Sequence, residues 1–85
     1  MLCEYSLSAV CVCPVDKKPD FYRVTVRSPR VIPVEDILKA VKGLEDKAQF
    51  QEEFTEELHR TLAAEVETVG HHSGVRTRVV CGGAA

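Results

Sequence analysis

No stretch of this sequence stays apolar for long enough to cross a bilayer, and no basic start followed by a long apolar run marks a secretory leader. The chain opens on Met1-Leu2-Cys3-Glu4, so a cytoplasmic protein is expected. An excess of positive charge is also missing. Eleven basic against thirteen acidic residues leave a net charge of −2, which gives no reason to expect DNA as a partner. Linkers, low-complexity stretches and internal repeats are absent, so residues 1–85 read as one domain, with 82–85 as a frayed tail.

What is present is an ordinary soluble composition, 45% hydrophobic and 28% charged. A domain this small buries a modest fraction of its surface, so its stability is expected to be thin unless neighbours share a core. The four cysteines (Cys3, Cys11, Cys13, Cys81) are expected to stay reduced in a cytosolic protein. Cys3, Cys11 and Cys81 read best as small buried apolar side chains.

Odd positions from Cys3 to Cys13 are apolar, and Glu4, Ser6 and Ser8 alternate with them until Val10 and Val12 break the pattern. That predicts a half-buried strand that becomes buried on both faces near its end. Phe21 to Arg27 alternates again, with Tyr22, Val24 and Val26 on one side, and the loop between them carries Pro14 and Pro19. Pro33, Glu35 and Asp36 suit a helix start, and Val34, Ile37, Leu38, Val41 and Leu44 form a stripe over 34–46. Phe50, Phe54, Leu58 and Leu62 mark a second helix whose outer face is mostly acidic. Val66–His72 and Val75–Cys81 read as strands joined at Ser73-Gly74. The fold class is therefore α+β, ordered strand-strand-helix-helix-strand-strand, with one antiparallel sheet and both helices on one face. Its exposed edges make a homo-oligomer the expectation.

The loop Cys13-Pro14-Val15-Asp16-Lys17-Lys18-Pro19-Asp20-Phe21 carries most of the visible chemistry. It can bring a thiol and a carboxylate to one rim, with Lys17 and Lys18 near enough to favour a thiolate. Such a pair suits nucleophilic addition to an electrophilic carbon followed by proton transfer. Equally, Cys13 can be a strand-end core residue and Asp20 a turn former. Glu52 can accept two parallel N–H bonds from a guanine-like edge, or it can belong to a solvated face. His59 reads as surface, and Arg76 and Arg78 as a solvated sheet face.

Cys13-Pro14, Pro19-Asp20-Phe21 and the later Phe50-x-Glu52 resemble the 7-cyano-7-deazaguanine (nitrile) reductase family of queuosine metabolism. That family carries Cys-Pro-x-Thr-x-Gln-Pro-Asp-aromatic and Phe-His-Glu motifs. The resemblance runs from about residue 3 to 72 and implies a tunnelling fold (T-fold). It also implies Cys13 as thioimide-forming nucleophile, Asp20 as proton donor, and Glu52 with Gln51 as substrate-binding residues. Asp16, Lys18 and Gln51 replace the family's Thr, Gln and His. The family's NADPH signature is only faintly echoed by Glu35-Asp36-Ile37-Leu38-Lys39. Loss of that run fits the cofactor-free archaeosine-synthesis relatives (QueF-like), in which ammonia opens the thioimide to an amidine. The implied ligand is a 7-deazaguanine or pterin-like heterocycle, free or in tRNA, bound where subunits meet.

Val31-Ile32-Pro33-Val34 and Gln49-x-Gln51-Glu52-x-x-Thr55 also resemble GTP cyclohydrolase I, another T-fold enzyme, whose glutamate binds a guanine base. Its zinc needs two cysteines and a histidine, and the matching Cys-Glu-His-His run is missing here. His71 and His72, adjacent on a strand, point to opposite faces, and Cys11-x-Cys13 has no standard partner pair. No metal site is expected. The readings that follow are a nitrile-directed T-fold enzyme, a non-catalytic T-fold binding or structural subunit, and a zinc cyclohydrolase relative.

Overall fold

The strand at the start of the chain is set by its alternation. In the computed structural model, which describes residues 1–83, β1 (Cys3–Val12) turns its odd residues inward and half-buries Val10 and Val12 near its end. It pairs with β2 (Pro19–Ser28) in an unbroken antiparallel register from Cys3 opposite Ser28 to Val12 opposite Pro19. Tyr22, Val24, Val26 and Ser28 are the inward side of β2. β3 (Glu65–His72) and β4 (Val75–Cys81) complete a four-stranded sheet in the order β1-β2-β3-β4, antiparallel throughout. Their turn holds Ser73 at φ 51° and Gly74 at φ 83°, the doubly left-handed geometry that matches the twist of a tight hairpin. Of the four-residue tail expected at the end, Ala84 and Ala85 lie outside the described residues.

Both helices cover one face. α1 (Val34–Lys42) follows Pro33 and has Glu35 and Asp36 in its first turn, Lys39 and Lys42 in its last, each sign at the dipole end that favours it. The helix is shorter than its apolar stripe predicts. From Leu44 onward the bonds close over three residues, Leu44 N–H to Val41 O (3.1 Å) and Glu45 N–H to Lys42 O (3.3 Å), so Leu44 is buried from a turn. α2 (Gln51–Leu62) lies over β3 and β4 and buries Phe54, Thr55, Leu58 and Leu62. Phe50 departs from the expected stripe. It precedes the helix and is 52% exposed, because its extended backbone turns the ring away from the face that Phe54 fills. Glu53 Oε1 accepts the Phe50 N–H at 2.9 Å, which is the carboxylate half of a capping box.

Three further expectations need correction. Cys3 and Cys81 are half-buried rather than core, Cys3 as the first residue of β1 and Cys81 as the last of β4, the two outer strands of the sheet. His59 is no plain surface residue: its Nδ1 bonds Ala64 O at 2.7 Å and ties down the end of α2. The outer edge of β1 is not wholly bare. Glu45 Oε2 accepts the Val10 N–H (3.2 Å), Gln49 N–H donates to Val12 O (3.2 Å), and Val12 bridges Ala48 in parallel. These contacts occupy backbone groups that would otherwise template another strand.

α2 ends on Ala63 at φ 51°, ψ 46°, where a Cβ crowds the neighbouring carbonyl and glycine would not. Ala63→Gly is expected to stabilise the fold by about 0.5–1 kcal/mol, the strain relief exceeding the unfolded-state entropy cost. Urea midpoints of the two proteins measure this.

Candidate functional site at the loop end of the sheet

The two hairpin ends and the start of α2 meet at one end of the molecule. Cys13 N–H donates to Lys18 O (2.9 Å) and Lys17 N–H to Cys13 O (3.0 Å), which closes the β1–β2 loop with Lys17 at φ 63°. The loop thereby sets Cys13, Pro14 and Val15 on one wall of a cavity of about 360 Å³. Asp20 of β2, His72 of β3 and Thr77 of β4 form the floor, and Phe50, Gln51 and Glu52 of α2 close the far side. All four residues expected from the sequence to act here (Cys13, Asp20, Gln51 and Glu52) therefore line one space. A larger hollow of about 550 Å³ lies between the helices, among Arg30, Asp36, Lys39 and Thr61, and has no thiol or imidazole in its wall.

The two thiols near the loop differ sharply. Cys11 is 1% exposed, and burial, followed by the charges of Glu45 and Asp20, pushes its pKa up to about 12. Such a thiol is inert. Cys13 is half-buried with its side chain on the cavity. Its partner in the loop is Asp16, whose carboxyl is held below the usual range chiefly by the Lys18 N–H it accepts (2.9 Å) and then by the Cys13 thiol. The lysines do not take the expected place beside the sulfur. Lys17 Nζ donates to Pro14 O at 3.1 Å, and neither lysine lines the cavity.

Asp20 has a polar neighbour on each side. The Tyr22 hydroxyl donates to its Oδ2 over a long 3.4 Å, and burial, with Asp20 next, pushes the phenol up so that it remains a donor. His72 Nδ1 faces Oδ1 at 3.9 Å, beyond hydrogen-bond range. Glu52 is exposed in the first turn of α2, where the helix dipole favours a carboxylate. Gln51 stands apart from the others. It is 2% exposed, and its Nε2 faces Thr68 O (3.2 Å), Thr68 Oγ1 (3.1 Å) and Thr77 O (3.0 Å) while its Oε1 meets His72 Nε2 at 2.8 Å. Its amide is spent on the protein itself.

His72 is the residue that sequence reasoning missed, because the adjacent histidines are weighed there only as metal ligands. The signal was available in parity: Val66, Thr68 and Gly70 are buried and His72 continues that face. His71 points the other way and is exposed. On the uncovered face Arg27 pairs with Glu4 (2.8 Å), Glu65 (2.7 Å) and Glu67 (2.9 Å), and Arg78 pairs with Glu67 (3.0 Å). Arg78 thus belongs to a solvated ion-pair network.

Glu35 to Lys39 lie on α1, and Asp36 and Lys39 face the hollow between the helices rather than the cavity of Cys13. Within one chain these residues stand away from the cavity of Cys13. Among the described residues no three His, Cys, Asp or Glu side chains converge as a metal site would require, and no helix is long and apolar enough to cross a membrane.

The crystal structure of the archaeosine synthase QueF-Like in its apo form matches with a TM-score of 0.84, covering 99% of this chain and 96% of that one. The two share a fold. At 23% identity the likeness establishes the architecture, the α+β T-fold, and leaves the chemistry to be argued from the residues. Neither a scan of protein-family models nor a search of curated proteins finds a match.

Proposed function

We propose that the cavity binds a 7-deazaguanine-type heterocycle carrying a nitrile, and that Cys13 adds to the nitrile carbon. The observation that carries this reading is the convergence of Cys13, Asp20 and Glu52 on one cavity of about 360 Å³, a size suited to a single small heterocycle. Glu52 accepts the two parallel N–H groups of the guanine-like edge and so sets which end of the ring faces the loop. Addition forms the sulfur–carbon bond and breaks one π bond of the nitrile. The freed electron pair takes a proton at nitrogen from Asp20, and the proton of the Cys13 thiol leaves to solvent through the exposed loop. The product is a covalent thioimide.

What opens the thioimide follows from the cofactor question. Within one chain the α1 residues stand away from this cavity, and the fold neighbour is named for archaeosine synthesis. Both favour attack by ammonia, which gives an amidine and frees Cys13, over reduction. The base is accepted free or within tRNA. The rim is open, with Val15 78% and Phe50 52% exposed, and a second copy of the chain is the expected cover.

Intact mass spectrometry after incubation with 7-cyano-7-deazaguanine tests the reading. The expected result is a mass increase equal to the ligand, complete in the native protein and absent from Cys13→Ala, with loss of the adduct when ammonium is added. A second reading, a non-catalytic binding subunit, is favoured by Gln51, which takes the place of the family's histidine and is consumed by internal bonds. Ligand binding without an adduct would establish that alternative.

A further inference from the structure

A closed set of buried hydrogen bonds behind the cavity determines which nitrogen of His72 carries hydrogen. Its polarity follows from the groups that can only accept. Gln51 O is a carbonyl, so Thr55 Oγ1 donates to it at 2.7 Å. Having spent its hydrogen there, Thr55 Oγ1 accepts from Thr68 Oγ1, also at 2.7 Å. Thr68 Oγ1 in turn accepts from Gln51 Nε2 at 3.1 Å, and the same nitrogen faces two further carbonyls, Thr68 O and Thr77 O. Only an NH₂ group can sit among three acceptors. The Gln51 amide is therefore held in one orientation, with Oε1 toward His72. An amide oxygen has no hydrogen to give, so His72 Nε2 must donate across the 2.8 Å contact.

The consequence falls on the other nitrogen. With Nε2 committed as a donor, a neutral His72 presents a bare Nδ1, and 3.9 Å away is Asp20 Oδ1. Two lone-pair atoms face each other across a gap too long for a direct bond, and a small turn of either side chain would bring them to the distance at which one hydrogen serves both. Tyr22 holds the other Asp20 oxygen, and the His72 side chain keeps 37% of its surface in contact with solvent. One end of the ring thus reaches Asp20 and the ring itself reaches water.

We propose that His72 is the proton relay that reloads Asp20, and that Gln51, braced by Thr68 and Thr55, is the positioning residue that fixes its tautomer. The relay rests on the nitrile-addition reading above; the tautomer does not. In that reaction Asp20 gives its proton to the nitrile nitrogen and is left as a carboxylate. Once the 3.9 Å gap closes by roughly 1 Å to hydrogen-bond distance, the Nδ1–H of an imidazolium passes to Asp20 Oδ1, which leaves His72 neutral as the Nε2–H tautomer, and solvent returns the proton to Nδ1. The buried amide of Gln51 thereby has a task that binding substrate would not give it.

Two measurements test the proposal. Long-range ¹H–¹⁵N correlation spectra of the folded protein assign the tautomer of neutral His72 directly. The Nε2–H form is expected in the native chain, with a shift toward a tautomer mixture in Gln51→Met, whose side chain offers no amide oxygen. An Nδ1–H form in the native protein would overturn the lock, and so would a spectrum that Gln51→Met leaves unchanged. The second measurement is the rate of adduct formation with 7-cyano-7-deazaguanine in His72→Gln, whose amide N–H can still serve Gln51 Oε1 but relays nothing. A 10²-fold or greater slowing is expected, the usual worth of a positioned acid–base group. Iodoacetamide labelling of Cys13, which needs no proton donor, reports whether the pocket survives the change. An adduct rate within a few fold of native would overturn the relay. If the native protein forms no adduct at all, the nitrile reading fails and the relay falls with it, while the spectra still decide the tautomer.

Discussion

Phe54→Ala is expected to cost about 3–5 kcal/mol. The ring is fully buried, it packs on Tyr22 at a centroid distance of 5.5 Å, and it joins α2 to the sheet where Val24, Val26 and Val66 are also fully buried. A chain of this length commands roughly 4–13 kcal/mol in all, so one truncation removes between a quarter and the whole of it. The urea midpoint should fall by about 1.5 M or more, given a slope on the order of 1–2 kcal/mol per molar for a small domain. Phe50→Ala is the matched control. Its ring is half exposed at the cavity rim, and a loss under about 1 kcal/mol is expected there. Equal losses at the two positions would mean that Phe50 is buried in solution, as a covering subunit would make it.

Gly70→Ala is the second large effect, and it couples the core to the site. A Cβ built at Gly70 would lie 2.6 Å from Cδ1 and 2.7 Å from Cε1 of Tyr22, with Gln51 Oε1 at 3.4 Å. No Cβ contact is that short, so the Tyr22 ring must move. That ring is 2% exposed, wedged between Phe54 and His72 at centroid distances of 5.5 and 6.1 Å, with its hydroxyl on Asp20. Overpacking of this kind costs about 1–3 kcal/mol. The adduct rate with 7-cyano-7-deazaguanine should fall at least tenfold, because the proton donor moves with the ring, while Cys13 labelling should persist. A variant that matches the native protein in both stability and adduct rate would show that Tyr22 does not position Asp20.

The elements were legible in the sequence because each announces its own period. Alternation located β1 and β2, its break marked where Val10 and Val12 become half-buried rather than fully buried, and a Ser-Gly pair located the β3–β4 turn. Spacing could not separate Phe50 from Phe54, since both fall on the same stripe and only the extended backbone at Phe50 distinguishes them. The cavity was legible through its loop, where Cys13 and Asp20 lie close in sequence. His72 was not. Its role depends on Gln51, which is distant along the chain, and on two threonines whose side chains meet only after α2 has docked on β3. Lys17 and Lys18 misled for the same reason: proximity in sequence placed them near the thiol, but loop closure gave that place to Asp16.

The sheet's direction has one further consequence, for attachment. β1 runs toward the cavity and β4 runs away from it, so Leu2 and Gly82 sit together with Ala63 and Glu65 at the opposite end of the molecule. A ten-residue strand spans about 33 Å. Anything tethered through either end, whether to a bead, a surface or a neighbouring domain, leaves the mouth of the cavity facing outward. A peptide fused there would need on the order of ten extended residues before it could reach back to Cys13.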